Sequence, residues 1–173
     1  KNFTPQTLVD AVKYCHVRGV DVHLTLNTLV SDREMKEAAE LIRHAAQYNI
    51  DAFIVQDWGV VQLCRQIAPH VPIHGSTQMT VHSLAGVQLC AAMGMKRVVL
   101  SRELSREEIR YICANSPIEI EVFVHGALCM CYSGQCYLSS VIGRRSGNRG
   151  QCAQPCRLPY GYGRFESTRY PLS

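Results

Sequence analysis

The chain has 173 residues, 47% of them hydrophobic, with a formal net charge of +4; this is ordinary globular composition and enough chain for a domain with its own core. No run of about 18 apolar residues is present, which excludes a membrane-spanning helix. The opening Lys1-Asn2-Phe3-Thr4-Pro5 lacks the apolar stretch of a signal peptide, so the expected location is cytoplasmic.

In chain order, Thr4 to Val17 reads as a helix. Leu8, Ala11, Val12 and Cys15 recur at helical spacing, Thr4 can cap, and Pro5 suits the first turn. Gly19 ends it, and Val20 to Leu26 reads as a strand. A helix from Asp32 to Tyr48 carries its apolar face on Met35, Ala38, Ala39, Ile42, Ala45 and Ala46. Then come a strand at Ala52 to Val55, a helix at Val60 to Ile67, and a strand from Ile73 to about Gln78. Val81 to Met93 is a helix stopped by Gly94, and Arg97 to Leu100 a strand. Ser105 with Glu108 forms a capping-box pattern at the head of the next helix, and Ile118 to Val124 is the last strand.

Strands separated by single helices require parallel pairing through right-handed crossovers. Five such units predict an α/β fold, part of a (β/α)8 barrel, over residues 1–126. A doubly wound open sheet is the rival, but no Gly-rich phosphate turn follows any strand. Eight strands and about 250 residues make a whole barrel, so this is expected to be a fragment of a longer protein, with strands missing at both ends. Chemistry in such a fold sits at the C-terminal strand ends. Here those ends are Asn27, Gln56-Asp57, Ser76-Thr77-Gln78, Ser101-Arg102-Glu103 and His125-Gly126. Together they form a polar mouth, although each single residue reads as a cap or turn former before it reads as a catalyst.

The rhythm stops after Gly126, and residues 127–173 form a separate irregular segment rich in Gly, Cys, Arg, Tyr and Pro. Charge splits at the same place. Residues 1–126 hold 12 Lys/Arg and 13 Asp/Glu, net −1, whereas residues 127–173 hold six arginines and one acid, Glu166, net +5. The arginines are Arg144, Arg145, Arg149, Arg157, Arg164 and Arg169. Arginine suits bidentate contact with phosphate or carboxylate, although a solvated basic loop would look the same.

Of the nine cysteines, Cys15, Cys64, Cys90 and Cys113 lie singly in helical patterns and read as small apolar residues. The other five, Cys129, Cys131, Cys136, Cys152 and Cys156, fall in the irregular segment. In a reducing compartment that clustering points to metal or redox chemistry. Spacing alone leaves an iron–sulfur cluster, a four-thiolate zinc ion and metal-free structural cysteines all open.

From Glu121 the sequence runs Glu121-Val-Phe-Val-His125-Gly126-Ala-Leu-Cys129, then Ser133-Gly134-Gln-Cys136, and later Cys152-Ala-Gln-Pro-Cys156-Arg157. These elements resemble the signature of the collagenase-like peptidases, peptidase family U-thirty-two. The segments Val22 to Asn27, Ser76 to Met79 and Arg102 to Glu108 resemble it as well. The resemblance implies a (β/α) barrel and, in members that hydroxylate tRNA or rRNA bases or the ubiquinone ring, a four-iron (4Fe-4S) cluster on cysteines. The cysteines that match are Cys129, Cys136, Cys152 and Cys156, with Cys131 outside the pattern.

Other roles follow by position. If strand alternation holds, Glu121, Phe123 and His125 share a face. Glu121 and His125 are the candidate catalytic pair, with His125 a general acid or base, or equally a hydrogen-bonding support for the cysteine loop. Arg144, Arg145, Arg149 and Arg157, interleaved with Tyr132, Tyr137 and Tyr160, are candidates for holding RNA. The expected activity is iron–sulfur-dependent hydroxylation of an RNA base, with a small-molecule hydroxyl donor. The alternatives are a peptidase, as the family name says, and a non-catalytic RNA-binding module with a structural metal. No His-Glu-x-x-His or Gly-x-Ser-x-Gly motif supports a peptidase.

Overall fold

The computed structural model describes residues 3–161 and 170–171; Arg164, Glu166 and Arg169 lie outside the described residues. Five helices and five strands alternate from α1 (Pro5–His16) and β1 (His23–Leu26) through α2 (Met35–Gln47), β2 (Ala52–Val55), α3 (Trp58–Ile67) and β3 (Ile73–Gly75) to α4 (Leu84–Ala92), β4 (Arg97–Val99), α5 (Arg106–Asn115) and β5 (Glu119–Glu121). All four strand pairs are parallel, and the sheet order β1-β2-β3-β4-β5 follows the chain. A sheet that adds each new strand beside the last is an arc of a (β/α) barrel, because a doubly wound sheet reverses its order at a switch point.

Sheet register sorts the side chains. Phe53 pairs with Ile73, and Val55 with Gly75 and then Val98. This face is covered by helices: Phe53, Val55, Val98 and Leu100 join Ile42, Ala45, Val60, Val61, Cys64, Val87, Cys90 and Ile112 in one buried cluster. Burial drives the Cys64 thiol up to about 12 and raises Cys90 as well, so both behave as small apolar residues. Cys113, read from the sequence as similar, is exposed. The alternate rows run Ile54, His74, Arg97 and Glu119. Arg97 pairs there with Glu119 at 2.6 Å and Glu121 at 3.3 Å, and the His23 and His74 rings meet edge-on at 4.9 Å.

Element ends differ from the sequence expectations where side chains intercept the backbone. β3 stops at Gly75 because the Ser76 hydroxyl accepts from Gln78 N and opens a 3-10 turn, Thr77–Met79. α4 begins at Leu84, capped by Ser83; Val81 instead gives its carbonyl to Ser101 N. That bond also shortens β5. Past the Val99–Glu121 pair, β4 turns away toward Val81 and leaves β5 without a ladder partner. The expected strand to Val124 therefore ends at Glu121, and Phe123 and His125 lie in an exposed loop instead of continuing a strand face. Beyond it lie a short helix α6 (Leu138–Gly143), two further 3-10 turns, and an antiparallel pair, β6 (Pro159–Tyr160) with β7 (Tyr170–Pro171).

Candidate functional site

The cysteine-bearing segment is fastened across the C-terminal ends of the strands. Its main anchor is Ser133, only 1% exposed. Glu103, just past β4, accepts from the Ser133 amide at 2.9 Å and from its hydroxyl at 3.0 Å. Arg102 donates to the same hydroxyl at 3.3 Å. Thr80, past β3, donates to the Ser133 carbonyl at 2.7 Å and accepts from Gln135 at 2.9 Å. Gly134 completes the seat: it has φ +77°, and a Cβ there would stand 2.0 Å from the Gln78 carbonyl oxygen. Only glycine allows that approach.

A second anchor lies past β1. Leu29 N donates to the Asn148 carbonyl at 3.0 Å, and Arg149 donates to the Leu29 carbonyl at 2.6 Å. Arg149 also grips Glu34 with two nitrogens, one at 2.8 Å. That hydrogen-bonded guanidinium, with Ser31, holds the Glu34 carboxyl well below the usual carboxylate range. Past β2, Asp57 caps α3 through Gly59 N at 2.7 Å and Val60 N at 3.1 Å. Its other oxygen takes Val30 N at 3.2 Å, so Asp57 is wholly occupied in shaping the mouth.

Within the segment the five cysteines are all free thiols. Burial, followed by the neighbouring Cys136 and Cys129, raises the Cys131 thiol. Gly147 stands next to Cys152 and Cys136: a side chain there would meet Cys152 Cβ at 3.7 Å and the Cys136 carbonyl at 4.0 Å. Ser139 accepts from Ala153 N at 2.9 Å, tying α6 to the Cys152 turn. Arg157 reaches Cys156 Sγ at 3.6 Å and the Leu128 carbonyl at 3.1 Å, tying Cys156 back toward Cys129. Among the described residues, no three His, Cys, Asp or Glu side chains converge to the spacing of a single-ion site.

The other expected site residues are placed apart. Glu121 pairs with Arg97. His125 lines a cavity of about 340 Å³ with Arg102, Phe123 and Leu128. Of the arginines, Arg149 and Arg157 bind the protein's own groups, and Arg145 donates to the Gln151 carbonyl at 3.1 Å. Arg144 is exposed at the end of α6 with φ +55°. The anchoring roles of Ser133, Thr80 and Glu103 have no counterpart in the sequence reading, although Ser133-Gly134 stands inside the motif it singled out.

The model of peptidase family U32 matches residues 1–170. The chain belongs to this family. A tRNA hydroxylation protein P of Helicobacter pylori is 40% identical over 163 residues, 94% of this chain and 39% of the relative. A 23S rRNA 5-hydroxycytidine synthase of Escherichia coli is 40% identical over 153 residues, 88% of this chain and 23% of the relative. A collagenase of Porphyromonas gingivalis is 35% identical over 170 residues, 92% of this chain and 40% of the relative. The chain thus spans less than half the length of these U32 relatives. A solved U32 peptidase shares the fold with a TM-score of 0.58 at 16% identity, over 68% of this chain and 51% of that one. No helix among the described residues is long and apolar enough to cross a membrane.

Proposed function

We propose that this chain is part of an RNA-modifying enzyme that hydroxylates a tRNA or rRNA base, with an iron–sulfur cluster on Cys129, Cys136, Cys152 and Cys156. The observation that carries the reading is the fastening of the cysteine segment, through Ser133 and Arg149, onto the strand ends where this fold does its chemistry. Relatives named for tRNA and rRNA hydroxylation, aligned over about nine tenths of the chain, support the substrate class.

The donor set supports the cofactor. It is thiolate, which iron–sulfur clusters require, and a four-iron cube takes ligands spread roughly 6–7 Å apart. A lone zinc ion needs its four sulfurs gathered tightly, at about 2.3 Å from one centre, and is the alternative metal. When bound, the cluster supplies redox-active iron beside the mouth. The chain's own residues do the positioning. Ser133, Gly134 and Ser139 fix the loop, and Arg157 orients the Cys156 turn. We assign Arg144, exposed at the end of α6, and Arg145 to the RNA backbone, and the cavity lined by His125 and Arg102 to a small-molecule hydroxyl donor.

Anaerobic purification of the full-length protein, with iron, sulfide and zinc analysis and nucleoside analysis of RNA from cells lacking it, tests the proposal. Stoichiometric iron and sulfide with loss of a hydroxylated nucleoside is the expected result. Peptide cleavage that persists after anaerobic metal removal would favour the peptidase reading, for which the name of the Porphyromonas gingivalis relative speaks.

A further inference from the structure

Between the mouth of the sheet and the cysteine segment lies a cleft of about 350 Å³, lined among others by Gln56, Trp58, Gln78, Gln135, Tyr137 and Asn148. Four of these are carboxamides and two are aromatic. Gln56 is 7% exposed, yet its Oε1 has no hydrogen-bond partner, and Gln78 Oε1, equally covered, has none either. The Gln56 amide nitrogen reaches only the Gln78 carbonyl, at 3.5 Å. A buried acceptor without a donor leaves its lost hydration uncompensated, and two such oxygens belong to residues that line this one cleft. Trp58 and Tyr137 are 45% and 67% exposed at the same cleft.

We infer that this cleft holds one unstacked nucleobase of the RNA strand, its edge read by the Gln56 and Gln78 carboxamides and its face stacked on Trp58 or Tyr137. The inference rests on the RNA-modification reading and deepens it by naming the residues that recognise the base. Carboxamides offer donor and acceptor together, which matches the mixed edge of a base and not the uniform acceptors of a phosphate. Enzymes that react with a base take it out of the stack and hold it by edge hydrogen bonds and aromatic stacking. No positively charged side chain lines the cleft, so backbone phosphates are left to the arginine segment. On binding, small rotations of the two carboxamides bring their covered oxygens to the base.

Trp58 is the single tryptophan of this chain, and it reports the site directly. The experiment follows fluorescence of the full-length protein and of its Trp58→Phe variant, taking the difference as the Trp58 signal. The probes are cytidine monophosphate, uridine monophosphate, ribose phosphate and a short single-stranded RNA. Quenching by the two nucleotides and the RNA, but not by ribose phosphate, is expected. Gln56→Leu and Gln78→Leu should each weaken nucleotide binding about tenfold or more, at unchanged iron content and unchanged circular dichroism. Equal quenching by ribose phosphate, or nucleotide affinity untouched in both glutamine variants, would overturn the inference. If RNA binds with a steep salt dependence and leaves Trp58 unquenched, the base cleft is wrong and the RNA reading stands. If neither RNA nor nucleotide binds, both fall.

Discussion

Ser133 presents its amide N–H and its hydroxyl to one oxygen of Glu103, at 2.9 and 3.0 Å, across 30 residues of chain. A single carboxylate oxygen thereby sets both the height and the rotation of the loop that carries Cys131 and Cys136. Charge-assisted hydrogen bonds of this kind are the stronger ones, about 1.5–3 kcal/mol each. Glu103→Ala should therefore release the loop while the helices and sheet remain. The expected result is iron content reduced severalfold with the far-ultraviolet circular dichroism unchanged. Full iron retention would show that the loop seats itself without Glu103.

Gly134 gives a sharper test of the same seat. With φ +77° and the Gln78 carbonyl oxygen 2.0 Å from an added Cβ, Gly134→Ala must move backbone on one side or the other. The substitution should destabilise the protein by more than about 1–2 kcal/mol. Gly143→Ala, where an added Cβ meets nothing within 4 Å, is the control and should be close to neutral. Thermal melting of both variants separates a general effect of losing glycine from the clash at this one position.

Single Cys→Ser substitutions sort ligands from bystanders. Cys129, Cys136 and Cys152 should each lose most of the iron absorbance on substitution, and Cys156 likewise. Cys131→Ser should keep it, although Cys131 lies beside Cys136 and Cys129. An iron-free Cys131→Ser protein alongside an iron-loaded Cys129→Ser protein would exchange the roles of the two.

The arginines divide by what they already hold. Arg144→Ala with Arg145→Ala should flatten the salt dependence of RNA affinity by roughly one to two log–log units. Arg149→Ala should act differently, because its guanidinium is shared between Glu34 and the Leu29 carbonyl. It should loosen the second anchor and lower the unfolding midpoint only slightly, since the ion pair is exposed to solvent screening. A salt slope unchanged in the double variant would show that Arg144 and Arg145 do not touch phosphate.

His74 gives the protein an acid-side weakness. Its ring is 6% exposed. Burial first, then the neighbouring Arg97 and His23, lower its pKa to about 4. Between about 6.5, its ordinary value, and about 4 the unfolded chain binds the proton that the folded chain refuses. Stability from this group is complete above the upper value and is lost as pH falls through that window, by at most about 3 kcal/mol. His74→Leu should flatten the pH dependence of the unfolding midpoint there. A ring titrating above pH 6 in the folded protein, followed by NMR, would remove the effect.

Local signals in the sequence translated well into structure. The Ser105–Glu108 capping box appears with both reciprocal bonds, and the Ala52–Val55 strand has the expected limits. Strand order followed from single helices between strands. The errors fall where a distant partner overrides a local pattern. Ile118 to Val124 alternates like a strand, but after the Leu100–Glu121 bond the chain past β4 turns its next amide, Ser101 N, to Val81. The Thr80–Ser133 bond spans 53 residues and the Arg149–Leu29 bond 120, and no spacing rule within a short window reports contacts of that reach. The Ser-Gly step was legible as a motif, whereas the carboxylate and hydroxyl that hold it were not.

The strand order β1-β2-β3-β4-β5 has a consequence for biogenesis. Each strand pairs with the one made just before it, so the sheet can grow from one edge during translation without waiting for distant chain. The five clustered cysteines follow the sheet in the chain, and the bonds that seat their loop join it to residues made 30 to 120 positions earlier. The cysteine loop is thus seated only on a finished platform. A nascent chain stalled before Ser133 already carries Thr80, Arg102 and Glu103 but not the loop they hold, so on the proposed cluster reading metal delivery follows folding of the α/β layer instead of nucleating it.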